Sequence, residues 1–360
     1  MRHAAQIMAN IIIELTNRCN LSCQHCFTGR HNGRDDLPLA VLQHILAAAK
    51  LHGFTSINFT GGDPTVYRQT QRPSSYAGTE TSRTSLTAAA FGEAVKLTCE
   101  AGYDFAFNTN GWNFSQIYPQ ILPYQARLQV ITFSLDGASE ATHDRLRGQG
   151  SYRRVLQAMS ICVVHDLPFT VNMVITTHNR HELAAIAHLA HRLGSRGLRF
   201  GHLMPSPLTT EMGFELSPWE RKRVEAEIHE LRGQLPFPIA IAPGYHSTNL
   251  FPCAPLHVQE INIDCYGNLT KCCHLSGHGN GTGEGDIIGN LQAMSFTEAY
   301  HKLVAENEQF RQAKLSRLGA DQLQDADFFA CWYCFNHYEK VGWLKQQKTH
   351  AWVPLIWQEK

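Results

Sequence analysis

The chain has no long apolar run. None reaches the roughly 20 residues a membrane-spanning helix needs, and the opening Met-Arg-His-Ala-Ala-Gln lacks the apolar stretch of a secretory signal. Net charge is absent as well: 31 Lys and Arg balance 31 Asp and Glu, so nothing favours nucleic acid or an anionic membrane surface as partner. There is no internal repeat and no low-complexity block. With 360 residues, the chain is long enough for a large domain plus a smaller one. Eleven cysteines without a signal point to a reducing compartment and metal ligation, not to disulfides, so the chain reads as cytoplasmic. The 20 histidines are scattered, and none is assigned as a ligand.

Order of elements follows from periodicity. An apolar run over 11–15 reads as a strand, and Asp36-Leu37-Pro38 as a helix start capped by Asp36. Strands are expected over 56–60, 104–108, 129–134, 169–175 and 198–204. Helices are expected over 38–53, 87–102, 152–166 and 181–193, and Ser217-Pro218-Trp219-Glu220 is a capping box opening another. Alternating units of this length build parallel β/α architecture, and six of them suit an open barrel. The polar stretch 68–85 reads as a loop insertion. Past Pro236 prolines cluster and the alternation stops. The expected fold is therefore α/β: a partial (β/α)6 parallel barrel over 11–235, a small Cys-rich α+β module over 236–340, and tails at 1–10 and 341–360. The tail tryptophans Trp343, Trp352 and Trp357 suit docking onto the fold.

In such barrels the working groups lie at the C-terminal ends of the strands. Cys19, Cys23 and Cys26, spaced C-x3-C-x2-C, follow the first strand. Three thiolates leave one iron of a four-iron cluster without a protein ligand, and an open iron can bind a small molecule and pass it an electron. Zinc or buried thiols are the competing reading. Gly61-Gly62-Asp63-Pro64 ends the second strand, where adjacent glycines allow close backbone approach and a carboxylate can accept from an ammonium group. Asn108 to Gly111, Ser134 to Asp136, Asn172 with Thr176, and His202 to Met204 end the strands that follow.

The Cys19–Cys26 segment, with His25 where an aromatic usually stands, resembles the signature of the radical S-adenosylmethionine (radical SAM) superfamily. The glycine turn resembles that family's Gly-Gly-Glu-Pro motif, with Asp63 replacing Glu, and the run His143 to Gly148 is similar too. The resemblance implies a SAM-binding [4Fe–4S] cluster on Cys19, Cys23 and Cys26, and SAM contacts from Gly61, Gly62, Asp63, Asn110, Ser134, Asp136, Arg147, Asn172 and Met204. For Ser134 and Asp136 a loop start and a cap, and for Arg147 a structural salt bridge, are equally open.

Cys253, Cys272, Cys331 and Cys334 form C-x18-C, a long gap, then C-x2-C, with a hairpin turn over 264–268. The arrangement resembles the SPASM/Twitch extension of radical SAM enzymes. It lacks the later cysteines of a full SPASM module, so the shorter Twitch form, with a second auxiliary [4Fe–4S] cluster on these four residues, is the nearer match. A four-cysteine zinc site is the alternative. Cys265 and Cys273 are spare thiols, with Cys273 expected to point away from Cys272 along a strand, while Cys99 and Cys162 lie on apolar helix faces.

The reaction implied is reductive cleavage of SAM to a 5′-deoxyadenosyl radical that takes a hydrogen atom from substrate. Oxidative modification or crosslinking of a ribosomal peptide or protein comes first. Dehydrogenation or rearrangement of a small molecule in antibiotic or cofactor biosynthesis follows, and a non-enzymatic iron–sulfur carrier is the remote alternative. An electron donor such as flavodoxin or ferredoxin is implied, with no nucleic acid and no membrane.

Overall fold

The computed structural model describes residues 9–26, 33–68, 89–278 and 284–357. All of the 68–85 insertion except Arg68, and residues 279–283, lie outside the described residues.

Seven strands alternate with helices in chain order. They are β1 (Ala9–Thr16), β2 (Phe54–Gly61), β3 (Asp104–Thr109), β4 (Leu128–Ser134), β5 (Phe169–Val174), β6 (Leu198–Gly201) and β7 (Ile239–Ile241). The helices between them are α1 (Leu39–Ala49), α2 (Ala89–Glu100), α3 (Phe114–Ile121), α4 (Glu140–Arg147), α5 (Ser151–Val164), α6 (Leu183–Arg192), α7 (Pro207–Glu211) and α8 (Pro218–Gln234). Then come β8 (Glu260–Ile263), β9 (Asn268–Thr270), β10 (Ile287–Asn290), α9 (Phe296–Gly319) and α10 (Ala330–His337).

All ten strands form one sheet in the order β10-β9-β8-β1-β2-β3-β4-β5-β6-β7. Pairing from β1 through β7 is parallel, as right-handed β/α units require. The sheet is broader than six units: β7 adds to β6 after the proline cluster begins, and β8 returns to pair parallel with β1. The β8–β9 hairpin and β10 then extend the same sheet antiparallel, so no break in pairing separates barrel from Cys-rich module.

Strand alternation sorts the faces. Ile11, Ile13, Leu15, Ile57, Phe59, Phe105, Phe107, Ile131, Phe133, Val171, Met173, Leu198 and Phe200 point to the helices and belong to one apolar core. Phe91 of α2 meets Phe59 and Phe107 edge-on at 6.0 and 5.1 Å, the geometry aromatic quadrupoles prefer. The alternate positions are mixed: Glu14, Asn58, Thr60, Asn108, Thr132, Ser134, Asn172 and Arg199 are polar, with Ile12, Ala106, Val130 and Val174 among them. A closed eight-fold barrel fills its interior with branched apolar side chains; this concave face carries groups that suit a polar guest.

Several local expectations shift. Asp36 does not cap α1, whose N-cap is Pro38; its carboxylate accepts from the Thr16 hydroxyl at 2.7 Å and the Arg18 Nε at 2.9 Å. The expected strand over 198–204 stops at Gly201. The Ser217–Glu220 capping box forms in both directions. The 264–268 hairpin turn forms around the Asp264 carboxylate, which accepts from the amides of Tyr266 and Asn268 at 2.9 Å each. Trp352 is fully buried, its ring 4.5 Å from that of Trp332, so the tail docks on the Cys-rich module. Cys99 and Cys162 are core, as expected.

Candidate active site

The cysteine loop leaves β1 under several restraints. Asn17 exchanges hydrogen bonds with Asp35: its Nδ2 donates to the carboxylate at 3.0 Å, and its Oδ1 accepts from the Asp35 amide at 2.8 Å. The amide of Gln24 donates to the Leu146 carbonyl of α4 at 2.9 Å. From β2, the Gly62 amide donates to the Thr16 carbonyl and the Asp63 amide to the Arg18 carbonyl, both at 2.8 Å. A Cβ at Gly61 would lie 2.0 Å from the Thr16 carbonyl oxygen, and one at Gly62 1.9 Å from that of Arg18. The glycine pair is thus needed for contact between two chain segments, a role that the reading as a ligand cradle did not anticipate.

Asp63 departs from its expected role. It is buried, and its two carboxylate oxygens accept from the Thr65 amide, the Thr65 and Thr109 hydroxyls and the Asn110 amide, the last at 2.8 Å. These donors fill the capacity of a carboxylate. Asp63 ties the end of β2 to the end of β3 and is not presented to an ammonium group. Burial pushes its carboxyl above the ordinary range, and those donors oppose the rise.

The thiols meet polar groups from the neighbouring strand ends. Asn110 Nδ2 stands 3.9 Å from the Cys19 sulfur, and Arg147 Nη1 stands 3.9 Å from that of Cys23. Arg147 also pairs through Nε with Asp136, which His25 Nε2 approaches at 3.0 Å. Asp136 accepts from the Val174 amide at 2.8 Å, and its own amide donates to His143 Nδ1 at 3.0 Å. Burial would raise the Asp136 carboxyl, but Arg147 and then His25 outweigh it and hold it well below the carboxylate range. The structural reading of Asp136 and Arg147 is therefore the one the geometry favours: they form the floor under Cys23. Ser134 and Asn172 sit in register across β4 and β5 on the polar concave face. Met204 lies beyond the end of β6 and is buried, a member of the apolar cluster that also holds Leu275, Phe329 and Trp332.

Burial pushes the Cys19 thiol up to about 12, with the Asp63 charge adding to it, and burial lifts Cys23 to about 11 despite Arg147. Thiolates here need a cation between them, which is what metal coordination supplies. In the second set, Cys253 precedes a helical turn, Cys272 follows β9, and Cys331 and Cys334 stand one turn apart on α10. Burial raises all four thiols, and three of them also feel others of the set: Cys253 feels Cys272, Cys334 feels Cys253 and Cys272, and Cys331 feels Cys253, Cys334 and Cys272.

Among the described residues, the group of metal-donor side chains drawn within 4.8 Å of one another is His202, His274 and Cys331. His274 Nδ1 lies 3.7 Å from the Cys331 sulfur, and neither ring nitrogen of buried His202 has a partner among the described residues. Sequence reading placed His202 at the end of the sixth strand without assigning it as a ligand, and passed over His274. The signals were there: His202 immediately follows β6, and His274 follows Cys272-Cys273.

Cys273 lies beyond the end of β9, in a turn closed by the Ser276 amide on the Cys272 carbonyl at 3.0 Å, not on a strand as expected. Its thiol, raised mainly by burial, feels Cys272, Glu260, Arg199 and Glu14. Cys265 is buried. The two modules meet at Tyr266, whose hydroxyl donates to Asp35 at 3.0 Å and accepts from Asn17 Nδ2 at 3.1 Å.

A parallel β/α sheet with a polar concave face and three converging thiols at the C-terminal end of its first strand defines a metal-dependent β/α-barrel enzyme. Residues 13–190 match the radical SAM superfamily model. The chain is 26% identical over 278 residues to the AdoMet-dependent heme synthase of Methanosarcina barkeri, covering 74% of this chain and 71% of that protein. It is 29% identical over 217 residues to the mycofactocin maturase MftC of Mycobacterium ulcerans, covering 59% of this chain and 52% of the other, so it spans about half of that relative's length. Among solved structures, native anSMEcpe with bound AdoMet and Cp18Cys peptide superimposes with a TM-score of 0.58 at 16% identity, covering 94% of this chain and 97% of that one. That similarity confirms the partial β/α barrel. No described helix is long and apolar enough to cross a membrane.

Proposed function

We propose that the chain is a radical SAM enzyme that oxidatively modifies a ribosomally made peptide or protein. In this reading Cys19, Cys23 and Cys26 hold the SAM-binding [4Fe–4S] cluster, and Cys253, Cys272, Cys331 and Cys334 hold an auxiliary one. The observation that carries it is the three-thiol loop anchored at the rim of a polar concave sheet face. When bound, the cluster held by Cys19, Cys23 and Cys26 would supply the one-electron reduction that cleaves SAM and so permits hydrogen abstraction from substrate.

The chain's own residues place these parts. Asn110 and Arg147 direct N–H groups at Cys19 and Cys23, which tunes the sulfurs and fixes the loop. Gly61 and Gly62 hold the β1 exit against β2, and Asp63 locks β2 to β3. Ser134 and Asn172 offer polar contacts on the lumen face, where SAM and substrate would lie. Residues 11–235 supply this chamber, and 236–340 supply the second thiol set through a continuation of the same sheet. A low-potential donor such as flavodoxin or ferredoxin delivers the electron, and the setting is cytoplasmic.

Peptide modification is supported by similarity to a peptide-bound structure and to a maturase. The heme synthase match supports a second reading, oxidation of a small molecule. The test is anaerobic reconstitution followed by SAM and dithionite, with 5′-deoxyadenosine as readout. A candidate peptide is then added and its mass followed for loss of two hydrogens. No deoxyadenosine from iron-loaded protein would falsify the enzyme reading; deoxyadenosine with an unchanged peptide but an oxidised small molecule would select the second one.

A further inference from the structure

Two cations lie buried beside the second thiol set with no carboxylate in ion-pair contact among the described residues. Arg221, on α8, is 1% exposed. Its guanidinium donates to the Leu203 carbonyl at 2.6 Å, to the Gly244 carbonyl at 3.4 Å and toward the Met204 sulfur at 3.8 Å, and it lies 4.5 Å from the Trp352 ring centre and 5.8 Å from that of Phe329. Lys314, on α9, is 2% exposed. Its ammonium donates to the Asp327 carbonyl at 3.0 Å and the Leu250 carbonyl at 3.2 Å, over the Tyr333 ring at 4.3 Å.

The two cations sit against different walls of one site. Met204, Phe329 and Trp352 belong to the apolar cluster on which Cys272 and Cys331 pack. Tyr333 belongs to the cluster on which Cys253 and Cys334 pack. The electrostatics agree: Arg221 favours the charged form of Cys331 against the larger effect of burial, and Lys314 does the same for Cys334 and Cys253. A cation removed from water without a counter-charge is costly, and carbonyl dipoles and aromatic faces offset only part of that cost. Asp327 acts on Lys314 and Glu215 on Arg221 without ion-pair contact; the negative charge set directly against the thiol walls is that of whatever the four cysteines bind.

We infer that Arg221 and Lys314 are counter-charges to the auxiliary iron–sulfur centre, placed on two different walls to stabilise its reduced state and make it an electron acceptor. The inference rests on the reading of the four cysteines as cluster ligands. One electron adds one negative charge to a centre already anionic, no proton is required, and cations held in a low-dielectric wall favour that form. Both act as positioning and tuning residues, since neither touches substrate.

The test is a potentiometric titration of anaerobically reconstituted protein, with the auxiliary signal read by electron paramagnetic resonance. The variants are Arg221→Met, Lys314→Met, the double Met variant, and the charge-keeping Arg221→Lys and Lys314→Arg. The expected result is an auxiliary midpoint shifted to more negative potential in each Met variant and most in the double one. The three-cysteine cluster should stay in place, and the charge-keeping variants should match wild type. Met variants that lose only the auxiliary iron, while the charge-keeping variants load normally, support the same conclusion. An unmoved midpoint in iron-loaded Met variants overturns it. So does equal loss of loading in Met and charge-keeping variants, which would make shape the requirement. Failure of the underlying reading is seen separately, before any variant: the wild type would carry zinc, or iron for a single cluster.

Discussion

Arg147 joins Asp136 to Cys23: its Nε pairs with the buried carboxylate while its Nη1 stands 3.9 Å from the thiol sulfur. Removing the guanidinium leaves Asp136 buried beside His25 as its remaining ion-pair partner. Arg147→Met should cost about 3–5 kcal/mol, the usual penalty for orphaning a buried charge. Asp136→Asn with Arg147→Met together should cost less than the two losses summed. Urea unfolding of the four proteins checks this; additive losses would mean the pair is not coupled.

Gly62 has no room for a methyl group. A Cβ there meets the Arg18 carbonyl oxygen at 1.9 Å, and backbone cannot step aside as a side-chain tip can. Gly62→Ala should push the cysteine loop away from β2, cost more than about 3 kcal/mol, and release iron from Cys19, Cys23 and Cys26 while the quartet stays loaded. Iron analysis with melting curves decides; full loading at wild-type stability would refute the clamp.

Acid should destabilise the protein through His143. Burial holds its imidazole down to about 4 from an ordinary value of 6.5. As pH falls through that window the unfolded chain takes up a proton that the folded chain refuses, so this contribution, complete above 6.5, is lost toward pH 4. It amounts to roughly 3 kcal/mol. His143→Gln, which keeps an acceptor for the Asp136 amide, should flatten the stability profile between pH 7 and 5. Parallel profiles for the two proteins would contradict the assignment.

The two thiol sets should separate chemically. Cys253→Ala or Cys334→Ala should remove the auxiliary iron and leave SAM cleavage to deoxyadenosine intact, while Cys19→Ala should abolish cleavage outright. Product chromatography alongside iron quantitation reads both; loss of cleavage in folded Cys334→Ala protein would place the quartet in the wrong role.

Trp352 ties the tail to the Cys-rich module. It is fully buried, its indole N–H donates to the Leu216 carbonyl at 2.9 Å, and its ring covers Arg221. Trp352→Ala should cost about 3–5 kcal/mol. A change under 1 kcal/mol in urea titrations would show the docking to be incidental.

What could be read from residues alone was whatever is local. The β/α units announce themselves by period, the Ser217–Glu220 box by its four-residue pattern, and the Asp264 turn by its own carboxylate. What stayed hidden depends on distant partners. Asp63 looks like a ligand-facing acid until Thr109 and Asn110, more than forty positions on, are seen to consume it. Arg221 lies in a helix rich in Glu, Lys and Arg, where any one charge reads as solvated, and the partners that bury it, Leu203, Gly244, Phe329 and the tail's Trp352, are distant in sequence. Strand β7 is three residues long and follows prolines, too short to carry a period.

The pairing of β8 with β1 also sets a timetable for biosynthesis. Strand β1 keeps one hydrogen-bonding edge bare until residues 260–263 emerge, and the loop beside it waits longer still for the Tyr266 hydroxyl. A nascent chain halted before that point offers an exposed edge next to three reactive thiols. Iron delivery to those thiols is therefore expected after synthesis has passed the hairpin, when the scaffold that shields them is complete.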